Sequence, residues 1–351
     1  MRELNYANAI KEATDYCLAE DQSVLVLGLG APDPKGIFGT TTGLQDKYGV
    51  DRVMDMPLAE NGMTGVVIGA SLNGFRPILT HQRVEFALLS IEQIVDQAAK
   101  WFYMNAGQQN VPIVIRLIIG RGWGQGAQHS QSLESWFAHI PGLKVVMPSN
   151  AYDAKGLLIS SVEDNNPVIF IEHRWLHNTI DYVPEDGYRI PIGEAKVIRE
   201  GSDITIVAHS YMVLESIKCS EVLASQGISI EVVDLRSISP LDAKTILNSV
   251  SKTKRLIVAD NGWVNFGVSA EIISIVTENI FEKMLCAPER IGMNNSPSPS
   301  TRALANNFYP RSINIAKIAC KMLNKSIDLE VLFPKSDLPE DIPDPAFNGP
   351  F

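Results

Sequence analysis

The sequence predicts an α/β protein of two domains, each with a largely parallel sheet covered by helices. Three observations carry that expectation. Short, continuous apolar runs rich in Val, Ile and Leu recur along the chain, with helical stretches between them. The alternation lapses once, from about His177 to Ser202, in a stretch of Pro, Gly and charge, and then restarts. The length, 351 residues, suits two domains with a large core.

Taken in order, MRELNYANAIKEATDYCLAED reads as an amphipathic helix and VLVLGLGA (24–31) as a buried strand. VMDMPLAE ends a second strand, and Gly62 to Asn73 is a helix of small residues. FRPILT is a third strand. IEQIVDQAAKWFYMNAG predicts a helix with Ile91, Ile94, Ala98 and Phe102 on one face. VPIVIRLIIG and LKVVMPS are strands, AYDAKGLLISSVED is a helix followed by Pro167, and PVIFIEH is a strand. After the lapse, DITIVAHS, a helix to about Ser225 and ISIEVVDLRS form a βαβ unit, followed by strand KRLIVAD and helix GVSAEIISIVTENI. From about Lys325 the chain turns Pro-rich and acidic, and reads as a solvated tail or an arm draped on a partner. The expected boundaries are 1–190, 191–325 and a tail at 326–351.

Composition narrows the function. A net charge of −10 and no dense Lys/Arg stretch argue against nucleic acid and an electrostatic membrane surface. The apolar runs fall short of a membrane span. Cys17, Cys219, Cys286 and Cys320 are widely spaced, without a CxxC pair, which suits reduced thiols in the cytoplasm.

Two places draw attention for chemistry. Glu60, in DMPLAENGMTG, closes a strand just before a Gly-rich helix start, among Met56, Leu58 and Met63. Strand ends are where parallel sheets place ligands, and apolar surroundings suit a carboxyl group to proton transfer. A helix-start glutamate favoured by the dipole is the plainer alternative. GRGWGQGAQHSQS (120–132) presents His129 in a polar, Gly-rich loop, suited to proton transfer or simply solvated. Three patterns lead elsewhere. GLGAPD (28–33) lacks the third glycine of a dinucleotide fingerprint, since Asp33 stands there. HRWLH spaces His173 and His177 by one helical turn without the glutamate of a zinc motif. His81, His139 and His209 read as structural.

The ordered segments RVMDMPLAENGMTGVVIGASLNGFRPI, IEQIVDQAAKWFYMNAGQQNVPIVIR, AQHSQSLESWFAHIPGLKVVMPSNAYDAKGLL, NNPVIFIEH and IEVVDLRSISPLDAKTILNSVSKTKRLIVAD resemble a known family. It is the beta subunit of the thiamine-diphosphate-dependent first component of 2-oxo acid dehydrogenase complexes, of the transketolase-like group. The likeness runs from the N-terminus to about residue 322. It implies a pyrimidine-binding thiamine-diphosphate domain followed by a smaller transketolase C-terminal-like domain. It also implies an alpha subunit that holds the diphosphate and magnesium in an α2β2 heterotetramer, and a lipoyl acyltransferase as further partner. Carried over by position, the catalytic glutamate falls on Glu60, the ring stacking on the aminopyrimidine on Phe86, and the active-site histidine on His129. A potassium site of backbone carbonyls falls on Ile113, Ser161, Val162, Asp164 and Asn166.

The chain also departs from the family. Leu29 and Gly30 follow Gly28 where two glutamates are usual, and His81, Arg83 and Val84 stand where Phe, Thr and Phe are typical. Arg121 and Trp123 replace small residues. His81 and Arg83, two apart on an extended segment, are expected to face one side and favour a polar or anionic substrate. Decarboxylation of a 2-oxo acid with acyl transfer is therefore the leading expectation. A transketolase-like carboligation, as in building a modified sugar, and a non-catalytic assembly subunit are the alternatives.

Overall fold

The computed structural model describes residues 2–120, 125–334 and Ile342. Arg121, Trp123 and the tail beyond 334, apart from Ile342, lie outside the described residues. In chain order the principal elements begin with β1 (Arg2–Asn5), α1 (Tyr6–Glu20), β2 (Val24–Gly28), α2 (Leu44–Tyr48) and β3 (Val53–Met54). Then come α3 (Glu60–Leu72), β4 (Arg76–His81), α4 (Ala99–Met104), β5 (Val114–Ile119) and α5 (Glu134–Ala138). β6 (Lys144–Val146), α6 (Ala151–Glu163), β7 (Val168–His173) and β8 (Ile180–Val183) follow. The remainder is β9 (Lys196–Arg199), β10 (Ile204–Ala208), α7 (Tyr211–Ala224), β11 (Ile230–Asp234), β12 (Ser237–Ser239), α8 (Ala243–Thr253), β13 (Leu256–Trp263), α9 (Val268–Ile280) and β14 (Glu289–Met293). Helices α10 (Arg302–Ala305), α11 (Ser312–Met322) and α12 (Leu329–Leu332) end the described chain.

The chain divides into two compact units. One comprises 2–120 and Trp136–Ile192; the other comprises 125–135 and the chain from Gly193. In the first unit the strands run parallel in the order β6-β7-β5-β4-β2-β3. β2, β5 and β7 are buried at every position, as a sheet covered on both faces requires. In the second unit the order is β14-β13-β10-β11-β9, parallel except for β9 at one edge. The predicted α/β fold class is borne out.

Several local readings need correcting. Arg2–Asn5 is a strand, not the start of a helix, because it pairs antiparallel with Ile180–Val183 across a sequence gap that periodicity does not span. Asn5 then caps α1, its side chain accepting from the Asn8 amide. Phe102 does not share the face of Ile94 and Ala98; it is 45% exposed. The segment Gln93–Ala98 is wound as a π-helix, and the wider turn rotates everything after it. Within the segment expected as a tail, Leu329 and Phe333 are buried in the second unit's core beside Ile315 and Ala319.

Candidate active site

All parallel strands of the first unit end on one edge, and Glu60 and Phe86 follow β3 and β4 there. Glu60 opens α3, with no side-chain cap from Ala59, and is buried. Its carboxylate sits in the first turn, where the helix dipole favours negative charge. Phe86, half-buried, lies on the helical turn Val84–Ser90, and that turn packs against α3. Elements bearing a buried carboxylate and an aromatic ring are thus neighbours, a pair of side chains that suits an aminopyrimidine.

Beyond Gly28 the chain turns sharply. Gly30 adopts φ +74°, its amide donates to Asp55 Oδ1 at 2.8 Å, and a Cβ there would meet Asp33 at 2.9 Å. The departure from glutamate at this position is therefore built into the backbone. The loop that follows is fixed from below. Arg116, fully buried on β5, donates to Glu172 at 2.6 and 3.0 Å and to Thr40 Oγ1 at 2.9 Å. Burial pushes the Glu172 carboxyl up, but Arg116 and His177 outweigh it and hold the group below its ordinary range. His177, 3.4 Å from Glu172, stacks on Tyr6, and burial lowers its pKa against the pull of Glu172. His173 accepts from the Trp175 amide. Both histidines are thus structural.

His81 and Arg83, expected to face one side, are both buried. Arg83 bends across the strand ends, because its Nη1 donates to the Gly120 carbonyl at 2.5 Å. Gly120, at φ +90°, lies against the His173 ring, 2.6 Å from where a Cβ would stand. Burial lowers His81 to about 4 and Arg83 to about 10, Glu85 opposing the latter shift.

His129 belongs to the second unit, half-buried on the short turn Gln128–Ser130. The next residue, Ser130, accepts from the Ser298 hydroxyl at 3.0 Å. Further along, Glu134 enters a buried network that sequence reading missed. His209 Nε2 lies 3.3 Å from Asp260 Oδ1, and Asn261 donates to His209 Nδ1 at 3.0 Å. The Gly262 and Ser269 amides donate to Asp260 at 3.0 Å each, and Ser132 donates to Glu134 at 2.6 Å. Burial, reinforced by the Asp260 charge, raises the Glu134 carboxyl. Burial works against protonated His209, but Asp260, Glu134 and Asp234 together raise it. The donor atoms of Glu134, His209 and Asp260 lie within 4.8 Å of one another. Hydrogen bonds already engage all three groups, so the cluster is an internal ionic network. The missed signal was the burial of acids from segments far apart in sequence, which no local motif encodes.

The potassium candidates lie at the opposite, amino edge of the first sheet. The carbonyls of Val162 and Asp164 accept from Arg76 at 2.9 and 3.0 Å, and that of Ile113 accepts from the Val168 amide at 2.9 Å. The Lys144 ammonium pairs with the Asp164 carboxylate, whose other oxygen accepts from Asn166. Ser161 donates to Leu157.

Comparison with known proteins fits this geometry. The pyrimidine-binding domain of transketolase matches residues 2–178 and the transketolase C-terminal domain residues 193–315. A transketolase-like chain with both domains is the class defined. The chain is 41% identical over 332 residues to the beta subunit of acetoin:2,6-dichlorophenolindophenol oxidoreductase of Cupriavidus necator, covering 92% of this chain and 98% of that one. It is 40% identical over 332 residues to the mitochondrial pyruvate dehydrogenase E1 subunit beta-1 of Oryza sativa, covering 93% and 89%. A solved structure described as a split gene transketolase, inactive beta4 tetramer, superposes with TM-score 0.76 at 21% identity, covering 92% and 98%, which shows the shared fold. The chain belongs to the beta-subunit family of thiamine-diphosphate-dependent 2-oxo acid dehydrogenases. Membership implies thiamine diphosphate as cofactor and an alpha subunit as partner.

Proposed function

We propose that this chain supplies the aminopyrimidine half of the site in an α2β2 enzyme that decarboxylates a 2-oxo acid and transfers the acyl group. The observation that carries the reading is the buried Glu60 carboxylate at the start of α3, with the Phe86 turn packed on that helix. Thiamine diphosphate, when bound, supplies the electron sink for cleavage beside the carbonyl. Glu60 would hold a proton against a ring nitrogen of the pyrimidine, and Phe86 would hold the ring by stacking, worth roughly 0.5–1.5 kcal/mol. His129 would donate a proton or hydrogen bond to the reacting carbonyl. The alpha subunit would carry the diphosphate and magnesium, and a lipoyl acyltransferase would accept the acyl group. The widely spaced free cysteines support the cytoplasm as compartment. Potassium at the amino edge would have to share carbonyl lone pairs with Arg76 and the Val168 amide. That part of the proposal expects a higher melting temperature in potassium than in sodium chloride; equal values would remove it.

The test is calorimetric titration. The isolated chain should show no tight binding of thiamine diphosphate with magnesium, and the reconstituted two-chain enzyme should show it. Tight binding by the chain alone would sink the two-chain reading. In the assembled enzyme Glu60→Gln should lower kcat at least about a hundredfold, within the range of general acid–base contributions. A carboligation stands as the second reading, favoured by the Gly30 turn, which excludes the usual glutamate. Product analysis with an added aldehyde separates the two.

A further inference from the structure

We infer that the first unit carries a subsite for a second anionic group on the substrate, built by Arg83 and Arg174 around Phe38; the inference rests on the active-site reading above. The Phe38 ring centroid lies 5.7 Å from the Arg83 guanidinium carbon and 4.9 Å from that of Arg174. Phe38 is held there at φ +51°, a left-handed conformation that a bulky residue rarely adopts. Arg83 is 3% exposed, and its one hydrogen bond among the described residues goes to the Gly120 carbonyl. Its Nε and Nη2 have no partner there, nor do Thr80 Oγ1 and His81 Nε2, on the strand that leads to it. Glu85 adds its charge to Arg83, but no hydrogen bond to those two nitrogens.

Burying a guanidinium without partners is costly, and a like-charged neighbour adds to the cost. Arg174 is such a neighbour, on the same Phe38 ring. A protein that only needed to fill this space would place apolar side chains in it. A carboxylate or phosphate resolves the arrangement, because its oxygens match the guanidinium fork and give Nε and Nη2 of Arg83 acceptors. The place also argues for substrate rather than a structural ion. Arg83 is the residue that opens the turn Val84–Ser90, so a ligand held by it bears directly on the turn carrying Phe86. The substrate class is a carbonyl compound with a carboxylate or phosphate beyond its reacting centre.

The test uses the reconstituted two-chain enzyme loaded with thiamine diphosphate and magnesium. kcat/KM is measured for pyruvate, 2-oxoglutarate and a phosphorylated ketose, in the parent, Arg83→Met, Arg83→Lys and Arg174→Met. The parent should prefer the dicarboxylate or the phosphorylated probe, which tells carboxylate from phosphate. Arg83→Met and Arg174→Met should each lower that preference at least tenfold, and Arg83→Lys should retain part of it. A preference for pyruvate in the parent, or an unchanged ratio in the variants, would overturn the subsite. Binding gives a second arm that does not depend on turnover. Calorimetry with inorganic phosphate and with succinate should show one of them binding the parent at least tenfold more tightly than Arg83→Met. No binding of either to the parent overturns the subsite. Failure of all three carbonyl probes to turn over, with anion binding intact, would instead overturn the thiamine reading.

Discussion

Two buried arginines of the first unit differ in a way that separates structure from function. Arg116 is fully buried on β5, gripped by both oxygens of Glu172 and by Thr40. Arg83 is nearly as buried, yet among the described residues a single backbone carbonyl receives it. The first is a compensated ion pair that pins the loop bearing Phe38. The second, at the strand ends beside the turn bearing Phe86, leaves Nε and Nη2 without acceptors and has only the charge of Glu85 opposite it. Desolvation is similar in both places; only the partner differs. A fold can hold an arginine in the first way for its own sake, whereas the second way calls for something from outside.

The comparison is broken most forcefully at Arg116. Glu172→Ala leaves its guanidinium buried and unpaired, and should cost about 3–5 kcal/mol of stability. The denaturant midpoint of the variant measures this; an unchanged midpoint would mean that the two arginines are alike.

Next in size is a pH effect at His81. Its folded-state pKa, about 4, lies below the ordinary 6.5. The unfolded chain therefore takes up the proton first. The contribution is fully present above pH 6.5 and is lost as pH falls toward 4. The whole window is worth on the order of 3 kcal/mol. His81→Phe should lose less stability than the parent between pH 7 and pH 5, read as the difference in melting temperature. Parallel pH curves for the two proteins would contradict the buried, neutral His81.

Arg83→Met should act in the opposite direction to Glu172→Ala. Without substrate it removes an unsatisfied charge and should raise stability by about 1–3 kcal/mol. Thermal unfolding of the assembled enzyme reads the sign, and a fall in melting temperature would place Arg83 with Arg116 as a structural group. The smallest effect is expected at the edge of the same rim. Gly30→Ala forces a side chain into a left-handed turn and should cost about 1 kcal/mol. A neutral result would show that the turn can relax, and that glutamate is absent there for some other reason.

Much of this was legible in the sequence, for identifiable reasons. Apolar runs such as VLVLG and VIFIEH announce buried parallel strands because a sheet covered on both faces has no polar side. Glu60 and His129 could be singled out because they sit in long segments whose order and spacing resemble the family, Phe86 by its position between two of those segments, and Glu60 also by its place after a strand. The two-domain α/β architecture follows from the same local information.

Only the tertiary structure decided the partners. Arg116 and Glu172 are far apart in sequence and meet because β5 and β7 are neighbours in register. Glu134, His209 and Asp260 come from three separate segments, so no spacing rule could join them. The strand at Arg2–Asn5 exists because Ile180–Val183 lies beside it, and the exposure of Phe102 follows from one π-turn. Periodicity in sequence sets which face of an element is apolar, since that depends on the chain's own dihedral angles. Whether a buried charge finds a partner depends on which elements pack against it. For Arg83 that contact is a lone carbonyl, which its amino-acid neighbours could not foretell.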